Sequence, residues 1–126
     1  MYEISIIKNL IAQHYLENEE GFESKRHSHH YKIEVILSGD KLNTNGYLVN
    51  FIEVEEIIDD AIEYFRDKTL NEIAEFTDIN PSLENFSKIF CKRFITKLNS
   101  ANINSVRIKI WESDNAWALY QEEIKH

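Results

Sequence analysis

The sequence predicts an α+β fold, an antiparallel sheet with two helices packed on one of its faces. Four segments alternate apolar and polar residues with the period of two expected of half-buried strands. Two other segments carry apolar residues at helical spacing, and the order along the chain is ββααββ. Two hairpins flanking a helical pair close most simply as one antiparallel sheet whose apolar face is covered by both helices.

Tyr2 to about Ala12 reads as the first strand, with Tyr2, Ile4 and Ile6 alternating before a less regular Leu10-Ile11-Ala12. Residues 16–26 are polar and acid-rich, a loop by composition. The second strand runs from Tyr31 to Leu37, apolar at Tyr31, Ile33, Val35 and Leu37, and ends at the turn cluster Ser38-Gly39-Asp40. Asn50 opens a helix: Asn50 and Glu53 have capping-box spacing, and Val54, Ile57, Ile58, Ala61, Ile62 and Phe65 form its apolar stripe. The acidic side of that helix (Glu55, Glu56, Asp59, Asp60, Glu63) reads as solvated surface. Asn80-Pro81-Ser82 starts the second helix, with proline in the first turn and Leu83, Phe86, Phe90, Phe94 and Leu98 on the buried side. Cys91, within that helix, reads as a small core residue. Val106, Ile108 and Ile110 alternate with Arg107, Lys109 and Trp111 in a third strand. Ser113-Asp114-Asn115 turns the chain into a fourth strand, from Ala116 to about Glu122.

Residues 1–126 are expected to form one domain, long enough to bury its own core. With three glycines and one proline the chain is neither collagenous nor low-complexity. A single cysteine permits no internal disulfide and fits a reducing compartment. No apolar run approaches the roughly 18 residues of a membrane span, and the N-terminus reads as a strand instead of a signal peptide, so a cytoplasmic protein without a membrane partner is expected. The net charge of −8 argues against nucleic acid as a partner, since phosphate backbones call for a basic surface.

The chemistry concentrates in Arg26-His27-Ser28-His29-His30-Tyr31, which holds three of the five histidines. In a strand His27 and His29 share a face while His30 points to the other. His14 ends the preceding apolar segment, and an antiparallel hairpin would bring it back toward His27. Three imidazoles with an open fourth position suit catalytic zinc. An H-x-H pair also occurs without a metal, and His14 equally suits an ordinary hydrogen-bonded hairpin position. Lys25 and Arg26 are either local positive charge for a small anionic substrate or solvated surface.

In order along the chain, several motifs resemble those of the 6-pyruvoyltetrahydropterin synthase and 6-carboxytetrahydropterin synthase family. An A-A-H segment is matched by Ala12-Gln13-His14, and H-G-H-N-Y by His27-Ser28-His29-His30-Tyr31. G-x-V-x-D-F is matched by Gly46-Tyr47-Leu48-Val49-Asn50-Phe51, and L-N by Leu70-Asn71. P-T-x-E-N is matched by Pro81-Ser82-Leu83-Glu84-Asn85, and W-E-T by Trp111-Glu112-Ser113. The resemblance covers nearly the whole chain. It implies the tunnelling fold (T-fold), Zn2+ held by His14, His27 and His29, and a pterin anchored by Glu112. It also implies a homo-oligomer, trimers pairing into hexamers, with sites at subunit interfaces and strand edges joined between subunits.

The departures fall on the family's catalytic residues. The usual cysteine, four residues before H-G-H, is Glu23, with Ser24 taking the place if the loop shifts by one. The usual L-D-H is Phe65-Arg66-Asp67. The leading expectation is a zinc-dependent lyase that cleaves the side chain of 7,8-dihydroneopterin triphosphate to give 6-hydroxymethyl-dihydropterin. Glu23 and Asp67 would shuttle protons, two close carboxylates tending to share one, and Arg66 would pair with a carboxylate or a substrate phosphate. Two readings stand beside it: synthesis of 6-carboxy- or 6-pyruvoyl-tetrahydropterin with the substituted residues, and a non-catalytic zinc- and pterin-binding homologue.

Overall fold

Strands β1 (Tyr2–His14) and β2 (His27–Gly39) form a long antiparallel hairpin that sets Leu10 opposite Tyr31 and His14 opposite His27. The computed structural model describes residues 1–17 and 20–126; Asn18 and Glu19, within the loop expected over 16–26, lie outside the described residues. Strands β3 (Ser105–Ser113) and β4 (Ala116–Glu123) make the second hairpin, and the sheet runs in the order β1-β2-β3-β4 with every neighbour antiparallel. Period-two alternation buries Leu10 and Ala12 of β1, Tyr31, Ile33, Val35 and Leu37 of β2, and Val106, Ile108 and Ile110 of β3 on one face. Helices α1 (Phe51–Phe65) and α2 (Leu83–Lys97) cover that face, as expected.

Asn50 caps α1 by accepting from the backbone N–H groups of Ile52 (2.9 Å) and Glu53 (3.4 Å). The stripe of α1 is buried at Val54, Ile58, Ala61, Ile62 and Phe65, with Ile57 at the margin. Helix α2 starts two residues later than the sequence suggests. Ser82 is the cap, its hydroxyl accepting from Asn85 N–H at 3.1 Å, and Pro81 stands before it instead of in the first turn. Its core side is an aromatic column, Phe86, Phe90 and Phe94, all fully buried with Cys91. Two 3-10 turns (Leu70–Glu72 and Ala74–Phe76) join the helices and bury Leu70, Ile73 and Phe76. Both strands of the first hairpin run past their expected ends, β1 to His14 and β2 back to His27. The polar histidines hide that extension from a hydrophobic pattern, and it is what brings them into the sheet. Among the described residues, no helix is long and apolar enough to cross a membrane.

Candidate metal centre

At the loop end of the first hairpin the strand ladder closes on its last pair, His14 and His27, and His29 follows on the same face of β2. Their Nε2 atoms converge: His14 to His27 at 2.9 Å and His27 to His29 at 3.0 Å. The ring contacts are edge-on, with interplanar angles of 75–88°.

Main-chain oxygens fix the tautomers of two rings. His14 Nδ1 lies 3.0 Å from the Pro81 carbonyl and His27 Nδ1 lies 2.7 Å from the Lys25 carbonyl. A carbonyl can only accept, so in the neutral rings both protons sit on Nδ1 and both Nε2 atoms carry lone pairs. Two lone pairs facing each other at 2.9 Å repel unless a cation lies between or beside them. Tetrahedral zinc with Zn–N of about 2.0–2.1 Å would hold its nitrogens roughly 3.3 Å apart, close to the observed spacing. The donor set therefore fits a zinc-type ion, and carbonyls behind the rings are the usual second layer of such sites. Burial is the main cause holding the His14 imidazole below its ordinary 6.5. The Pro81 carbonyl opposes it, while the two neighbouring rings reinforce it. A neutral ring is the form a metal requires.

Two carboxylates border the triad. Glu23 is carried by a 3-10 turn (Gly21–Ser24) that Gly21 enters at φ +68, and its Oε2 lies 3.6 Å from His27 Nε2. Ligand atoms of His14, Glu23, His27 and His29 all lie within 4.8 Å of one another. Glu112 comes from β3, where the register slips by one residue between Trp111 and Ser113. The extra residue of such a bulge re-aims its side chain, and Glu112 Oε1 lies 3.1 Å from His29 Nε2 and 3.9 Å from His14 Nε2. Behind the rings, Tyr31 packs against His29 and His14 (centroids 5.5 and 6.2 Å). Burial pushes its phenol far above the ordinary range, so it stays protonated. Phe22 leans on His27 from the solvent side at 4.5 Å.

Other residues singled out in the sequence go elsewhere. Arg66 pairs with Glu63 at 3.0 Å, and with Asp67, Asn9, Leu10, Ile11 and His30 it lines a separate cavity of about 310 Å³. His30 is exposed there, on the side of β2 away from His27 and His29. Within one chain the structure brings Glu23, Glu112 and the three histidines together and leaves Arg66 and Asp67 apart. Asp67 follows the end of α1 with φ 58, its N–H donating to the Ile11 carbonyl at 2.8 Å. Arg26 pairs with Glu72, and Lys25 contributes its carbonyl instead of its charge. Ser24 turns its hydroxyl to the Gly21 carbonyl. Cys91 is buried in the core, its thiol pushed up to about 12, outside the cluster. The sequence reading assigned no role to the Pro81 and Lys25 carbonyls, Tyr31, Phe22 or Asn71. Of these, Asn71, Tyr31 and Pro81 stand within the motifs Leu70-Asn71, His27-Ser28-His29-His30-Tyr31 and Pro81-Ser82-Leu83-Glu84-Asn85.

Comparison with known proteins follows the same lines. Residues 3–123 match the sequence model of the family described as 6-pyruvoyl tetrahydropterin synthase. A putative 6-carboxy-5,6,7,8-tetrahydropterin synthase of Archaeoglobus fulgidus is 31% identical over 94 residues, covering 75% of this chain and 74% of that protein. Among solved structures, a catalytic-residue mutant (glutamate to alanine) of 6-pyruvoyltetrahydropterin synthase from Plasmodium vivax superposes with a TM-score of 0.80 at 14% identity, covering 98% of each chain. The Caenorhabditis elegans 6-pyruvoyl tetrahydropterin synthase gives 0.79 at 15% identity, covering 98% of this chain and 96% of that one. These structures share the T-fold layout found here, two helices on a four-stranded antiparallel sheet. With the family model matching almost end to end, the chain belongs to the 6-pyruvoyl tetrahydropterin synthase family.

Proposed function

We propose that the protein is a zinc-dependent lyase acting on 7,8-dihydroneopterin triphosphate, cleaving its side chain to 6-hydroxymethyl-dihydropterin. The observation that carries this reading is the convergence of three imidazole Nε2 atoms with Glu23 on one side and Glu112 on the other. His14, His27 and His29 would hold the ion. When bound, zinc supplies Lewis acidity toward the side-chain hydroxyls of the substrate. Glu112 accepts two hydrogen bonds from the amino and ring N–H edge of the pterin, which fixes the ring against the triad. Glu23 accepts the hydroxyl proton as the carbon–carbon bond opens, the fragment leaves as an aldehyde, and the proton is delivered to the pterin-side carbon, which becomes the hydroxymethyl group. That a glutamate is a catalytic residue in the Plasmodium vivax relative supports this role. Phe22 and Tyr31 shield the rings from water on two sides.

Arg66 and Asp67 act, in this proposal, from a neighbouring copy in a trimer or hexamer. Arg66 takes a substrate phosphate and Asp67 assists proton transfer. Both sit beside the exposed edge strand β1, where another chain can add. The protein then works as a cytoplasmic homo-oligomer on a small pterin.

The test is a product assay. Zinc-loaded protein is incubated with 7,8-dihydroneopterin triphosphate, products are identified by mass, and Glu23→Ala and His27→Ala serve as controls. Release of 6-hydroxymethyl-dihydropterin, lost in both variants, is the expected result. A second reading is favoured by the name of the Archaeoglobus relative: a 6-carboxytetrahydropterin product formed without the usual cysteine. Binding of zinc and pterin with no product at all would instead identify a non-catalytic homologue.

A further inference from the structure

The loop between His14 and His27 carries Glu23, and the segment linking α1 to α2 grips its first residues. Tyr15 is held at both ends of its peptide: its N–H donates to Asn71 Oδ1 at 3.0 Å, and its carbonyl accepts from Asn71 Nδ2 at 2.8 Å. Leu16 N–H donates to the Glu23 carbonyl at 2.7 Å, so the start of the loop is bonded directly to the residue that borders the metal ligands. Glu17 N–H donates to Asn80 Oδ1 at 3.0 Å. Three consecutive backbone donors are thus used up, two on side-chain amides and one on Glu23 itself. Asn71 is in turn fixed by its 3-10 turn, beside the Gln13–Thr69 bridge, and Asn80 precedes the Pro81 carbonyl that orients His14.

We propose that Asn71 and Asn80 are positioning residues for Glu23, clamping the loop so that its carboxylate stands over the three imidazoles. The inference rests on the reading of Glu23 as the proton acceptor. The two clamps differ in chemistry. Asn71 uses its amide as acceptor and donor at once. An aspartate there keeps the acceptor, loses the donor and sets a carboxylate oxygen against the Tyr15 carbonyl. Asn80 uses only its oxygen on the loop, and a carboxylate oxygen accepts from Glu17 N–H equally well. The same Asn-to-Asp change should therefore be damaging at one position and silent at the other. Misplacing a reacting group by about 1 Å costs on the order of a hundredfold in rate, which sets the scale.

The experiment compares Asn71→Ala, Asn71→Asp, Asn80→Ala, Asn80→Asp and Glu23→Gln in zinc-loaded protein. It measures kcat and KM on 7,8-dihydroneopterin triphosphate, bound zinc per chain, and hydrogen exchange of the peptide spanning 15–26. Expected for both Asn71 variants and Asn80→Ala is a kcat lowered by about ten- to a hundredfold, with KM and zinc content unchanged and faster exchange in the loop. Asn80→Asp should match the parent on every readout, and Glu23→Gln should lose turnover without faster exchange. Activity within twofold of the parent in all four asparagine variants, with Glu23→Gln inactive, overturns the positioning role and leaves the catalytic reading standing. Full activity of Glu23→Gln overturns that reading, and the clamp's catalytic purpose with it. Zinc lost in step with activity at Asn71 overturns the inference in favour of general collapse of the site.

Discussion

Phe86 connects the candidate metal centre to the rest of the fold, and truncating it to alanine should weaken both. Its fully buried ring touches Tyr31 of β2 (centroids 5.1 Å), Phe65 of α1 (5.3 Å), Phe76 of the linking turn (6.1 Å) and Phe90 one turn along α2 (6.4 Å). Sheet, both helices and the connection between them thus meet on one side chain. Removing a buried phenylalanine ring costs about 3–5 kcal/mol, the transfer free energy plus the cavity left behind. With roughly 2.1 cal/mol/K of unfolding entropy per residue, a chain of 126 residues has about 0.26 kcal/mol/K at its midpoint. The midpoint of Phe86→Ala should therefore fall by about 11–19 °C, read by circular dichroism in the presence of chelator. Tyr31 loses its backing and in turn backs His14 and His29 less firmly, so zinc affinity should drop about tenfold, the size seen when outer-layer partners are removed. Phe86→Leu keeps most of the volume and should recover most of both losses. A midpoint shift below about 4 °C, or roughly 1 kcal/mol, would refute this account of the core. So would a Phe86→Leu variant as damaged as the alanine.

Asp67 occupies the left-handed region at φ 58, where glycine fits without strain; Asp67→Gly should raise stability by about 0.5–1 kcal/mol, seen as a higher denaturation midpoint. If Asp67 takes part in proton transfer, the same variant loses turnover while becoming more stable. Glu122 is held below the usual carboxylate range chiefly by its bond to Lys92, aided by Tyr120. Its contribution to stability is present above the unfolded value near 4.5 and lost as pH falls through the folded one. Glu122→Gln should accordingly lower stability at pH 7 and flatten the stability profile below about pH 4.5, the two proteins converging in acid. Cys91, buried and with its thiol pushed up to about 12, should resist a thiol-specific disulfide reagent in native protein at pH 8 and react at once in denaturant. Reaction of the native protein within minutes would contradict its core placement.

The layout of sheet and helices is legible in the sequence because period two and period 3.6 are written in the side chains that make the core. The histidine cluster is legible for the same reason: in a strand, His27 and His29 must share a face, and the hairpin must return His14 to them. Other parts of the site depend on things a residue pattern does not record. Glu112 reaches the rings through a one-residue slip in pairing, and only resemblance to a family drew attention to it. The turns at 70–76 span three residues each, too short to show a period, so no sequence pattern marks the hold that Asn71 has on the loop. Arg66 and Asp67 stand where chain order leads one to look, directly after α1, but chain order does not say which side of β1 they face.

The two carbonyls behind His14 and His27 have a consequence for how this site changes over time. They belong to residues 81 and 25, and neither side chain touches the rings, so the imidazole tautomers are set by the main chain alone. An alanine scan would pass over Lys25, whereas Pro81 acts through the main-chain path that its ring restricts. What selection must preserve is the path of the main chain. Small backbone shifts at the start of α2 or at the entry to β2 are therefore the changes to which the ligand set is most vulnerable, more than most replacements of the side chains around it.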